Sequence, residues 1–194
     1  MNLHIANATI HLHCGATGAL QELATSAFAP ARITVRIAPP AHGEPWPGQG
    51  GRYICTLPPL LHLPERNLIA GDGEAEDLTY GPDIDVPGAT IHIDGAANTA
   101  ALLASGKKHP AAEWARGYTA DDHTDFFLPS QLDLFMAYIY AGHLFKKSGW
   151  YRSSTQSSRD FAFVQDFESG GSHWDVKGLG YRVRAFRAIP TSTL

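Results

Sequence analysis

The chain has 194 residues, 44% hydrophobic and 18% charged, which suits one globular domain with or without a small added element. No apolar run approaches the roughly 20 residues that span a bilayer, the N-terminus lacks the basic-then-apolar pattern of an export signal, and two cysteines, Cys14 and Cys55, do not make a disulfide framework. The formal charge of −4 is uneven: residues 1–129 carry 7 Lys+Arg against 14 Asp+Glu, and residues 130–194 carry 8 against 5. Such a split steers an anionic partner toward the C-terminal part, unless the arginines there are occupied by aromatic rings or by Asp166, Glu168 and Asp175.

Residues 1–41 read as a β-rich extension. Residues 3–13 alternate loosely, Gly15 and Gly18 interrupt, residues 21–28 suit a short helix stopped by Pro30, and residues 32–37 are a strand by composition. The extension either mounts the domain, on a larger assembly or on further copies of itself, or simply enlarges its sheet. Residues 42–51 surround Trp46 with Gly and Pro. Gly48-Gln49-Gly50-Gly51 lacks the lysine of a phosphate loop and predicts a tight turn beside a buried indole. Residues 52–57 and 67–70 pair as strands, with Pro58, Pro59 and Pro64 between them. Residues 71–88 are acidic and turn-rich. Asp72, Glu74, Glu76, Asp77, Asp83 and Asp85 offer oxygens to Ca2+, but without EF-hand spacing a solvated loop is the simpler expectation.

Asp94 or Asn98 caps a helix that runs to about Ser105 and stops at Gly106. Pro110 opens a second helix over residues 111–117, and the two send Leu102, Leu103 and Trp114 toward a core. Asp121, Asp122, His123 and Asp125 are dense in potential ligands, yet the same residues serve as turn and cap chemistry. Ser130 and Asp133 resemble a capping box. The helix they open carries Leu132, Phe135, Met136 and Ile139 at helical spacing, a stripe expected to face the core, and ends at Gly142.

Residues 149–189 organise the rest. Residues 153–158 are too polar for a core strand and read as a structured loop after Trp150 and Tyr151. Phe161, Phe163, Gln165 and Phe167 alternate with Ala162, Val164, Asp166 and Glu168 as a strand. Ser169-Gly170-Gly171 turns the chain, residues 173–177 return, and residues 181–187 alternate again. The candidate ligand-binding residues are Arg152, Gln156, Arg159, His173, Trp174 and Lys177. Amphipathic aromatics give contact area, and arginine grips carboxylate or sulfate bidentately. Trp150 and Tyr151 divide between contact and core packing, whereas Arg159, His173 and Trp174 sit at turns and their flanks, where function concentrates. C-x-x-C, H-E-x-x-H and G-x-S-x-G motifs are absent, His11, His13 and Cys14 do not complete a zinc site, and Ser153, Ser154, Ser157 and Ser158 have no inferable His–Asp partners. No catalytic residue, metal or cofactor is therefore assigned, and neither nucleic acid nor membrane insertion is expected.

An ordered series of motifs adds a resemblance. It comprises Trp46-Pro47-Gly48-Gln49-Gly50-Gly51-Arg52-Tyr53, Phe127-Leu128-Pro129-Ser130, Trp150-Tyr151-Arg152-Ser153-Ser154-Thr155, Phe167-Glu168-Ser169-Gly170 and Arg182-Val183-Arg184-Ala185-Phe186-Arg187. Together these resemble the Lcl C-terminal domain family, in its phage-encoded branch. The match covers residues 43–190 and departs at Phe126-Phe127, where a Trp-Arg pair is usual. It implies an α+β, C-type-lectin-like domain over residues 42–194, with two or three helices and a twisted antiparallel sheet. Enzymes on the related formylglycine-generating scaffold use cysteines near the C-terminus, and both cysteines here lie in the first 55 residues. The resemblance implies a non-catalytic binding module, a phage virion or tail-associated receptor-binding or adhesion protein that recognises a host-surface glycan or protein, placed on the virion or a bacterial cell surface. The alternative is a structural virion component, a head decoration or tail accessory protein, whose lectin-like face meets neighbouring subunits. A homo-oligomer, such as the trimer of fibre-borne proteins, fits either, and release by lysis would make an export signal unnecessary.

Overall fold

β7 (Tyr181–Pro190), the last strand in the chain, lies at the centre of the molecule. The computed structural model describes residues 38–193, within a unit spanning residues 35–194. The other strands are β1 (Pro45–Trp46), β2 (Gly51–Leu57), β3 (Arg66–Leu78), β4 (Trp150–Gln156), β5 (Phe161–Asp166) and β6 (Ser172–Val176), and the sheet runs β1-β2-β3-β7-β4-β5-β6. Long antiparallel pairing with β3 sets the direction of β7. Its pairing with β4 is then parallel, Tyr151 opposite Arg182, so the sheet is mixed and not antiparallel throughout.

Because side chains alternate along a strand, β7 feeds two cores. Val183 and Ala185 join Tyr80, Leu102, Ala111, Ala115 and Phe126, the layer holding α1 (Gly95–Ala104) and α2 (Pro110–Gly117). Phe186 joins Ile54, Leu68, Tyr151 and Phe167 under α3 (Gln131–Ala141). The described residues are thus α+β, with three helices covering both faces of one sheet. Asp94 Oδ1 caps α1 by accepting from the Ala97 N–H at 2.9 Å. Ser130 and Asp133 complete a reciprocal capping box on α3, with bonds of 3.2 and 2.8 Å. Trp46 is buried, and Gly50 takes φ +83° in the turn beside it.

Several expectations are corrected. Of residues 153–158, 153–156 belong to a buried strand and not a loop, because tertiary partners meet their polar side chains, while Ser157 and Ser158 lie in the turn that follows, as expected. The acidic stretch continues β3 to Leu78, and its carboxylates meet cations: Asp72 pairs with Arg52 at 2.7 Å, Glu74 with Arg184 at 2.9 Å, and Glu76 with Lys146 and Arg182. Arg187 pairs with Asp125 at 2.6 Å. Arg182, Arg184 and Arg187 are therefore paired, with acids far away in sequence and not with Asp166 or Glu168, while Arg184 and Arg152 also lie over the aromatic rings of Phe145 and Tyr181, as expected. Asp121 and Asp122 adopt φ +48° and +63° in a turn that clasps the glycine loop: Asp121 Oδ2 accepts from the Gly50 N–H, and His123 Nε2 donates to Gly48 O. The α3 stripe divides: Met136 packs against the core and Leu132 is half-buried, as expected, but Phe135 is 43% and Ile139 52% exposed, and Leu103 of α1 is exposed as well. The inward face of α3 is Asp133, Leu134, Ala137 and Ala141, where alanines let the helix approach the sheet closely. Cys55 is a buried thiol. The expected extension, apart from residues 38–41, and Cys14 lie outside the described residues.

Candidate functional site

The tryptophan-led motif builds the floor on which any site must rest. Within β4, Ser153, Ser154 and Thr155 are wholly buried, and each polar group is matched. Ser154 N donates to Pro129 O, Gln131 N donates to Thr155 Oγ1, and Tyr80 Oη donates to Ser154 O. Asn98 Nδ2 reaches Ile91 O at 2.6 Å and the Ser154 and Thr155 hydroxyls at 3.3 Å, while its Oδ1 accepts from the Ile91 N–H. These bonds stitch α1, the start of α3 and the connection through residues 86–93 to the sheet. Left unmatched, each such group would cost about 1–3 kcal/mol.

Three of the six candidate contact residues are structural. Arg152 is fully buried: its Nη2 donates to Val176 O and Leu179 O, and its guanidinium lies 4.6 Å over the Tyr181 ring. Burial lowers its pKa to about 10. Lys177 is equally buried, with Nζ donating to Ile84 O, Arg159 O and Gln156 Oε1 at 2.7, 2.7 and 2.8 Å. Three hydrogens meet three oxygens, as a protonated ammonium requires. Burial pulls its pKa down to about 8, against the upward pull of Asp85 and Asp83. Gln156 also accepts from the Val86 N–H. Tyr151 belongs to the core too. Alternation predicts which strand face these residues share, but not that the 84–86 segment folds over them.

Arg159, His173 and Trp174 are exposed, the first in the turn before the β5–β6 hairpin and the other two on β6. Arg159 lies in the β4–β5 turn, beyond the Phe161–Val176 pair. His173 shares a face with Trp150, their ring centroids 6.4 Å apart. Trp174, 53% exposed, lies opposite Phe163 on the face toward α3. Among the described residues, no group of three His, Cys, Asp or Glu is placed to hold a metal ion.

Beside that face lies a groove of about 390 Å³ lined by His92, Ile93, Gln131, Leu132, Phe135 and Ser172. Gln131 bridges it, its Oε1 2.6 Å from His92 Nδ1 and its Nε2 donating to Ser172 Oγ at 3.0 Å. Phe163 stands edge-on to His92 at 5.3 Å. Sequence reading missed this groove because it joins three distant segments. The one signal was the apolar α3 stripe, assigned to the core. A more polar recess of about 250 Å³ lies between Trp150, Tyr181 and Arg182 and the β3 bulge at Glu76 and Asp77. Its Glu76 already holds two cations.

No protein-family model matches this chain, and no curated protein sequence does. The resemblance stated above therefore rests on the quoted motifs alone. Those motifs meet in space: Phe127 bridges to Phe186 across the Leu-Pro-Ser and arginine segments, and Ser154 bonds Pro129.

Proposed function

We propose that this chain is a non-catalytic binding module of C-type-lectin-like build, carried on a phage virion or a bacterial surface, which recognises a host-surface glycan or protein. The observation that carries this reading is the contrast within the C-terminal stretch: residues 151–156 are buried and held by hydrogen bonds to distant segments, while the edge hairpin exposes Trp174 on the face beside an open groove, with His173 on its other face and Arg159 in the adjoining turn. A rigid scaffold with exposed aromatic and polar groups is how binding surfaces are built. Ser153 and Ser154 are sealed in the polar core, and burial pushes the Cys55 thiol up to about 12, leaving it protonated at neutral pH.

The test is binding of the purified, labelled protein to intact bacterial cells and a glycan panel at low and high salt. Saturable binding that survives salt and weakens in Arg159→Ala or Trp174→Ala, with melting unchanged, supports the module. A second reading, a virion subunit contact, is favoured by the exposed Phe135, Ile139 and Tyr140 on α3. A stable oligomer that binds capsid or tail parts, but neither cells nor glycans, would select it.

A further inference from the structure

We propose that the groove between α3 and the β5–β6 hairpin binds one ring of a neutral saccharide. The inference rests on the binding-module reading and names the ligand class of that surface. Three polar groups converge there with capacity to spare. The Gln131 oxygen only accepts, so His92 Nδ1 carries the proton in this pair, and His92 Nε2 is left as an acceptor in the neutral ring. Gln131 Nε2 spends one N–H on Ser172 and keeps a second, while Ser172 keeps its own O–H to donate. One acceptor and two donors suit adjacent sugar hydroxyls, each of which donates and accepts.

The remaining walls are apolar. Leu132, Phe135 and Ile93 line the groove, and Phe163 extends it toward Trp174 through their cross-strand pairing. Such walls cover the C–H face of a pyranose, and a few placed polar groups then fix its orientation. Among the described residues, no Lys, Arg, Asp or Glu lines the groove. A sulfate or carboxylate would shed water there without gaining a partner, which selects against charged sugars. The volume of about 390 Å³ falls at the lower end of ligand sites, about 300–1,000 Å³, and suits a single ring with its neighbours in solvent.

The experiment titrates the full chain with oligomers of glucose, galactose, mannose and N-acetylglucosamine, and with a sulfated galactan, by calorimetry at low and high salt. At least one neutral oligomer is expected to bind equally at both salts. Its affinity should fall at least tenfold in Phe135→Ala and in Gln131→Ala, with far-UV circular dichroism and melting unchanged. Ser172→Ala, on an exposed side chain away from the α3 cap, supplies an independent variant and should also weaken binding. Binding of the sulfated galactan alone, or neutral binding that all three variants retain, overturns the inference. Loss in Trp174→Ala with the groove variants intact moves the ligand to the hairpin crest: the module stands and the groove assignment falls. Saturable cell binding with no saccharide bound has the same meaning. Absence of binding to cells and to every saccharide overturns both readings.

Discussion

Lys177→Met tests whether a residue chosen as a ligand contact is instead a clamp. Methionine keeps most of the apolar stem but removes three donors. Ile84 O and Arg159 O lose their ammonium partner, and Gln156 Oε1 retains only the Val86 N–H. Hydrogen bonds to a charged group contribute about 1.5–3 kcal/mol each. Against this stands the cost of burying the charge: a fall from 10.5 to about 8 corresponds to about 3.5 kcal/mol at about 1.4 kcal/mol per pH unit. The net loss is about 1–5 kcal/mol. At about 2–4 °C per kcal/mol for a domain of this size, melting should drop by roughly 2–20 °C. The assay is thermal and urea unfolding followed by circular dichroism at pH 7. A pH series supplies the sign. With a folded pKa near 8 and an unfolded value near 10.4, the unfolded state binds more protons between the two, so stability rises with pH across that window. The contribution is fully present above about 10.4 and is lost as pH falls through about 8. The gap between wild type and Lys177→Met should therefore widen by about 2 kcal/mol from pH 7 to pH 10. A variant that melts within about 2 °C of wild type, with a pH-independent gap, would refute the clamp. Loss of ligand binding by a still-folded variant would return Lys177 to the contact surface.

Leu134→Ala should cost about 2–5 kcal/mol, whereas Ile139→Ala should stay within about 0.5 kcal/mol, because Leu134 is 1% exposed and Ile139 52%. Urea midpoints that rank the two the other way would reverse the orientation of α3. Asn98→Ala removes four hydrogen bonds beneath the tryptophan-led motif. It should destabilise by about 2–4 kcal/mol, with faster amide exchange at Ile91, and a neutral result would show the motif to be held by packing alone. Gly51→Ala places a Cβ 2.2 Å from Ala70 O, so the β2–β3 pair must separate at a cost of at least about 1–3 kcal/mol. A wild-type melting curve for this variant would mean that the pair is looser than described.

Local chemistry made much of the fold legible. Asp94, Pro110 and the Ser130–Asp133 pair mark helix starts by satisfying or lacking backbone donors, and each helix begins there. Alternation from Phe161, the Ser169-Gly170-Gly171 break and the return strand placed the hairpin, because a period of two and a turn are properties of a few neighbouring residues. What composition misjudged were segments whose environment comes from elsewhere. Polarity made residues 153–156 look like part of a loop that begins only at Ser157, and acidity did the same for residues 71–78. Partners such as Asn98, Tyr80, Arg184 and Lys146 reconcile both with strands.

The candidate site divides along the same line. Sequence by itself determined which residues carry aromatic or charged groups near a turn, and Arg159, His173 and Trp174 are indeed exposed. Only the tertiary structure decided that Arg152, Gln156 and Lys177 are buried, that Phe135 and Ile139 of the α3 stripe face outward, and that His92, Gln131 and Ser172 meet around one groove. The physical reason is that periodicity tells which residues share a face, while the identity of the buried face depends on what packs against it. For α3 the smaller side chains, Ala137 and Ala141, allowed the closer approach to the sheet, and the larger Phe135 and Ile139 were left outside.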